Sequence, residues 1–265
     1  MKYTLITGAS NGLGLAMAKT CAGLGHHLIL VSLPNENLSR IAANLSAEFR
    51  IDTQFHECDL TNSKAVQELY QWVQSQKYAV NFLINNAGFG GVGAFEEYTF
   101  EYINKMMDLN IKSVTQMTHL FIPDLKRNAP AHLLNVASMA ANFPFPYKSI
   151  YAASKVYVRN FSLALSEELR HYQISVSTLQ PGAVPTNEVV KTQLVNGGFL
   201  ARLSATPAKE VANLAIRKTL AGQRVITPGL KNRLSLFLMN IIPSRVSLPL
   251  LGKQGRKMIA NTNNE

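Results

Sequence analysis

What this chain of 265 residues lacks narrows it before any motif is read. It has two cysteines, Cys21 and Cys58, far apart and without Cys-x-x-Cys spacing, so no disulfide framework is expected and two reduced thiols are. No Gly/Ser or Pro tract divides it and no internal repeat recurs, which leaves one domain of ordinary size with a sizeable core. Its histidines lack His-x-x-x-His or His-Glu-x-x-His spacing, and there is no Gly-x-Ser-x-Gly elbow to raise a serine nucleophile. No apolar run approaches the roughly 20 residues that span a bilayer. The first strand-like run starts within three residues of Met1, leaving no room for a cleavable signal, so the expected location is cytoplasmic. Carboxylates are scarce toward the C-terminus. From Val211 to Asn264 there are nine Lys or Arg and no Asp or Glu, so that stretch accounts for most of the net charge of +10.

What is present is a set of short motifs in order. Lys2-Tyr-Thr-Leu-Ile reads as a strand, followed at once by Thr7-Gly-Ala-Ser-Asn-Gly-Leu-Gly and a helix-like stretch from Leu15 to Leu24. Gly8, Gly12 and Gly14 thus sit where a strand hands over to a helix. There the backbone can turn tightly and approach a pyrophosphate at the helix N-terminus. The spacing is a variant of the usual Gly-x-Gly-x-x-Gly fingerprint. Tyr151 and Lys155 stand four apart on a predicted helix, so phenol and ammonium share one face and can share one cavity. An adjacent ammonium favours phenolate, so a lowered Tyr151 pKa is expected.

Further strands are expected near 27–32, 52–57, 80–85, 131–137, 173–179 and 224–227, alternating with helices. Runs such as Val80-Asn-Phe-Leu-Ile84 suit a parallel sheet covered on both faces. The fold class is therefore α/β, a doubly wound parallel sheet of the Rossmann type, with ligands bound beyond the carboxyl ends of the strands. His56-Glu-Cys-Asp59 offers four metal-binding residue types in a row, but alternate strand side chains point to opposite faces, so no metal site is expected there. Asn110 lies inside a long helix predicted from about Thr99, where an amide competes with the backbone, a cost expected of a functional position. Ser138 follows an apolar strand and reads as a substrate-binding hydroxyl or, alternatively, a helix cap.

Thr7-Gly-x-x-x-Gly-x-Gly, Asn85-Asn-Ala-Gly88, Asn110, Ser138 and Tyr151-x-x-x-Lys155 together resemble the short-chain dehydrogenase/reductase family over about residues 1–227. The remaining residues, 228–265, read as a basic and apolar helical extension packed on that domain. The resemblance implies a catalytic set of Asn110, Ser138, Tyr151 and Lys155. It also implies a dinucleotide held by Gly8, Ser10, Asn11, Gly12, Leu13 and Gly14, by Ser32 near the adenosine ribose, and by Asp59 and Leu60 at the adenine. Asn86, Ala87, Gly88, Tyr151, Lys155, Pro181, Gly182 and Thr186 complete that set, Thr186 at the nicotinamide carboxamide. The implied reaction interconverts a carbonyl and a secondary alcohol by hydride transfer, with Tyr151 as acid or base and Asn110 holding a relay water near Lys155. Rival readings are a regulatory protein that binds NAD(P) without turnover, and an epimerase or dehydratase with a tightly held nucleotide.

At the ribose, Ser32-Leu-Pro-Asn35 supplies neither the carboxylate that favours NAD(H) nor the cation that favours NADP(H), and Asn11 fills a loop position often basic in NADP-using relatives. The balance leans to NADP(H) over NAD(H). Met139, Phe143, Phe145, Pro146, Phe89, Phe199 and Leu200 offer an apolar lining for a ketone, a steroid-like molecule or a fatty-acyl carbonyl, or else simply pack the loops. A homodimer or homotetramer is expected. The C-terminal mixture of Leu, Phe and Ile with Lys231, Arg233 and Arg245 suits packing or oligomer contacts, a lid, or peripheral membrane contact. It carries no recognisable nucleic-acid module.

Overall fold

The computed structural model describes residues 1–185 and 205–262. Seven strands form one sheet: β1 (Lys2–Thr7), β2 (His27–Ser32), β3 (Thr53–Glu57), β4 (Ala79–Asn85), β5 (Ala131–Val136), β6 (Ile174–Leu179) and β7 (Val225–Ile226). Their order is β3-β2-β1-β4-β5-β6-β7 with every pairing parallel. The order reverses between β1 and β4, the point at which a doubly wound sheet opens a crevice at its carboxyl edge. The connecting helices are α1 (Gly12–Gly23), α2 (Leu38–Phe49), α3 (Ser63–Ser75), α4 (Phe100–Met107), α5 (Val114–Arg127), α6 (Ser149–Glu168) and α7 (Ala208–Leu220).

Strand alternation divides the core into two layers. Ile6, Leu30, Ile84 and Leu134 face Met17 and Cys21 of α1, Leu45 of α2 and Ile216 of α7. Leu5, Ile29, Leu83 and Leu133 face Leu69 of α3, Phe121 of α5 and Leu165 of α6. With both faces covered, the strands must be nearly continuous apolar runs, as the sequence shows. Cys21 and Cys58 are both free and buried, and burial pushes each thiol up, Cys58 to about 11.

α4 and α5 form one long helix interrupted by a π-helical turn at Asp108–Ser113. After β7 the chain turns at Gly229, φ +84°, into two further helices, α8 (Leu230–Ile241) and α9 (Ser244–Thr262), with Pro243 between them. α8 packs on the short 3-10 turn Met139–Asn142. On α9, a Cβ at Gly255 would stand 2.5 Å from the Tyr147 ring and one at Gly252 3.9 Å from Pro146, so these glycines let the extension lie close on the 143–147 loop.

A buried amide chain fastens the central strands to the helices beneath them. Asn85 Nδ2 donates to Asn135 Oδ1 (2.8 Å) and Thr118 Oγ1 (3.1 Å), and Asn135 Nδ2 donates to Ser162 Oγ (2.9 Å). Asn135 is wholly buried, so removing its side chain leaves buried donors and acceptors unpaired. Asn135→Ala is expected to lower the unfolding free energy by about 2–3 kcal/mol in urea titration.

Candidate active site

The crevice begins at the first loop. Gly8 adopts φ +64°, and a Cβ on Gly14 would fall on the Gly8 carbonyl and stand 2.6 Å from Asn86 Nδ2. Neither position admits a side chain without displacing backbone. Asn86 Nδ2 donates to the carbonyls of Thr7 (2.9 Å) and Gly8 (3.2 Å), while Thr7 Oγ1 accepts from the amides of Asn86 (2.9 Å) and Ala87 (3.0 Å). The loops after β1 and β4 are thereby stitched together where strand order reverses. Asn11 stands at the N-cap of α1 but makes no side-chain cap, so no side chain caps the first-turn amides of the helix. Amides so placed, with the positive end of the helix dipole, suit an anion. The residues present therefore fit a dinucleotide pyrophosphate.

A cleft of about 540 Å³ runs from this loop. Of the residues expected at a cofactor, Gly8, Ser10, Asn11, Gly12, Leu13, Gly14, Ser32, Asp59, Leu60, Asn86, Ala87 and Gly88 all line it. One Asp59 oxygen accepts from the amide (2.9 Å) and hydroxyl (2.8 Å) of Thr61, which fixes the carboxylate at the cleft wall. Pro181 and Gly182 follow β6, where the Pro181 carbonyl accepts from the Met139 amide (3.0 Å). Thr186, Phe199 and Leu200 lie outside the described residues.

At the Ser32 end of the cleft the structure adds a group that the sequence reading left out. Ser32 Oγ donates to the Leu33 carbonyl (3.2 Å), and a carboxylate is present after all: Glu36 lines the cleft and accepts from the Ser10 hydroxyl. Asn35 and Asn37 take left-handed conformations, φ +66° and +55°, and the residue between them is turned back over the first loop. Asn tolerates that region better than most residues, so Asn-Glu-Asn was the signal available.

The second group of residues gathers at the start of α6. Lys155 is buried, and Nζ donates to the Val136 carbonyl at the end of β5 (2.9 Å). Burial pulls its pKa down to about 8. Tyr151, one turn earlier, has its ring centroid 5.8 Å from Nζ. The Ser138 hydroxyl accepts from the Ala140 amide (3.2 Å), the cap that the sequence offered as an alternative, and it stands near enough to the phenol to favour its ionised form. The Tyr151 pKa moves opposite to the sequence expectation. Burial raises it, and the neighbouring Ser138 hydroxyl offsets only part of that rise.

Asn110, in the π-helical turn, is wholly buried. Its Oδ1 accepts from the Phe89 amide (3.1 Å), and Nδ2 donates to the Phe89 carbonyl (2.8 Å) and Ser154 Oγ (3.1 Å). The side chain thus pairs like a strand with the turn after Gly88. A Cβ on Gly88 would stand 2.9 Å from Asn110 Oδ1 and 3.2 Å from Lys155 Nζ, so its absence admits both polar groups. One residue in this turn escaped the sequence reading. A Cβ at Gly90 would lie 2.5 Å from Tyr151 Cδ2 and 2.8 Å from Cε2, so bare backbone packs on the phenol ring. The glycines of Gly90-Gly-Val-Gly93 marked a close approach but not its partner. Gly90→Ala is expected to displace the phenol and lower kcat at least about tenfold, with cofactor affinity by nicotinamide fluorescence unchanged.

The family model for short chain dehydrogenases matches residues 2–194. A fatty acyl-CoA reductase of Acinetobacter baylyi is 30% identical over 96% of this chain and 88% of its own. Sulfoacetaldehyde reductase 2 of Chromohalobacter salexigens is 31% identical over 79% of this chain and 85% of its own. Among solved structures, the short-chain dehydrogenase from Sphingobium yanoikuyae in complex with NADPH superposes with a TM-score of 0.77 at 26% identity, covering 92% of this chain and 97% of that one. A glycine-built anion cradle at the switch point and a Ser-Tyr-Lys group one strand away thus accompany a family match over most of the sequence, and the chain belongs to the short-chain dehydrogenase/reductase family of NAD(P)-dependent oxidoreductases.

Proposed function

We propose that this protein reduces the carbonyl of an apolar, long-chain substrate with NADP(H), Tyr151 acting as the acid. The observation that carries the reading is the grouping at the start of α6: the Tyr151 phenol packed on Gly90, the buried Lys155 one turn along with its Nζ 5.8 Å from the ring centroid, and Ser138 beside them. A protonated phenol is the form required to donate to a developing alkoxide. A reduced nicotinamide cofactor, held by the Gly8–Gly14 loop and by Asn86, Ala87 and Gly88, would supply the hydride for the carbonyl carbon. Ser138 holds the carbonyl oxygen and stabilises its developing charge, and the phenol proton passes to that oxygen to give the alcohol. Lys155, anchored on Val136, holds the nicotinamide ribose and stabilises the phenolate left behind. Asn110 keeps the 88–90 turn in register and, with a water on Lys155, returns the proton to Tyr151.

Aromatic side chains support an apolar substrate. Phe143 and Phe145 lie 6.1 Å apart in the loop before α6, and Phe89 meets Tyr102 edge-on at 5.5 Å. The fatty acyl-CoA reductase matches over 96% of this chain. One observation favours a second reading, a short carbonyl with an anionic head like that of sulfoacetaldehyde. The Lys148 ammonium lies 5.7 Å from the Phe145 ring centroid, where it would meet such a head. A panel of long-chain aldehydes and acyl thioesters, run beside sulfoacetaldehyde with NADPH oxidation as readout, separates the two.

The NADPH-bound structural relative supports NADP(H), while Glu36 opposes a 2′-phosphate. Glu36→Gln is expected to tighten NADPH binding roughly tenfold and leave NADH affinity nearly unchanged, by parallel fluorescence titration. Tyr151→Phe is expected to lower kcat by about 10²-fold or more with both cofactor affinities intact. Full activity in that variant would remove the phenol from the mechanism.

A further inference from the structure

Helix α8 is inside out. Leu230, Leu234, Phe237, Leu238 and Ile241 recur at helical spacing and fall within an arc of about 100°. That arc faces outward: Leu230 is 81% exposed, Phe237 63% and Ile241 63%. The opposite face seats the helix on the domain through Leu236 and Asn232, whose Nδ2 donates to the Pro228 carbonyl (2.9 Å). Lys231 and Arg233, both exposed, border the apolar stripe on its two sides. Beyond Pro243, exposed Val246 and Leu250 continue the apolar surface, among exposed Arg245, Lys253, Arg256 and Lys257.

We propose that this face docks on an anionic lipid surface, the α8 stripe entering the headgroup region while Lys231 and Arg233 pair with lipid phosphates. Soluble proteins seldom expose so continuous an apolar strip, and a stripe flanked by cations is the pattern of a helix lying in a membrane interface. The charge selects the occupant. A second copy docked face to face would bring the same cations together, because a two-fold interface apposes one patch with itself. From Val211 to Asn264 no carboxylate exists to offset them. An anionic lipid surface supplies the opposite charge across the whole patch. No described helix is long and apolar enough to cross a membrane, so the contact is peripheral. Because α8 and α9 rest on the 139–147 segment beside Ser138, docking would bring the catalytic rim near the lipid. The docking itself does not depend on the substrate proposed above.

Flotation of the purified full-length protein with vesicles tests it, using phosphatidylcholine alone and with about one-third phosphatidylglycerol. Wild type is expected to float with the anionic vesicles and be released by high salt. The double variant Lys231→Gln/Arg233→Gln is expected to bind them about 30-fold more weakly. Leu234→Glu/Phe237→Glu is expected to lose on the order of 100-fold or more. These side chains project into solvent outside the cleft, so cofactor affinity measured on the same preparations is expected to stay at wild-type level, which separates a docking failure from a failure of the reductase reading. Wild type remaining with the buffer, or both variants floating like wild type, overturns the proposal. So does light scattering in which Leu234→Glu/Phe237→Glu turns an oligomer into monomers without any vesicle binding, since the occupant would then be a second copy.

Discussion

The Ser138, Tyr151 and Lys155 group is organised around one buried ammonium. Lys155 lies on α6 just beyond the carboxyl end of β5, and its surroundings admit it: the Val136 carbonyl accepts a hydrogen bond from Nζ, Gly88 withholds a side chain, and Asn110 fixes the turn that passes over it. Burial lowers its pKa from 10.5 to about 8, a cost to the folded ammonium on the order of 3 kcal/mol. The sign follows from linkage. The unfolded chain binds more protons than the folded one between those two values, so the cost is felt in full below pH 8 and fades as pH rises toward 10.5.

The rest of the fold meets that cost by being rigid where the site needs it. Asn85, Thr118, Asn135 and Ser162 join β4, β5, α5 and α6, and Asn86 joins β4 to the first loop through Thr7 and Gly8. The glycine loop and the start of α6 are therefore positioned by neighbouring amides at the carboxyl edge of the sheet. A shift in β4 would move both.

Much of this was legible in the sequence for identifiable reasons. Strands buried on both faces must be apolar throughout, so runs such as Val80-Asn-Phe-Leu-Ile84 stood out and the strand limits fell within a residue or two. Gly8 and Gly14 were legible because a backbone passing close to backbone leaves no alternative residue. Three features were not legible, each because it depends on what lies across space. Glu36 reaches the cleft only through left-handed turns at Asn35 and Asn37, and Gly90 matters only because a phenol from α6 lands on it. The Tyr151 shift is set by burial, which a Tyr-x-x-x-Lys spacing does not reveal.

The π-helical turn at Asp108–Ser113 ties the site to the core in one further way. Such a turn holds one residue more than an α-helical one, so it rotates all that follows by about 100°. Phe121 and Leu125 meet the sheet only in that rotated phase. Deleting a single residue between 108 and 113 would make the helix regular, and in doing so would swing the apolar stripe of α5 off the sheet and withdraw the Asn110 amide from Phe89. The insertion that frees one side chain for the active site is also the phase setting of the helix that closes the core beneath it.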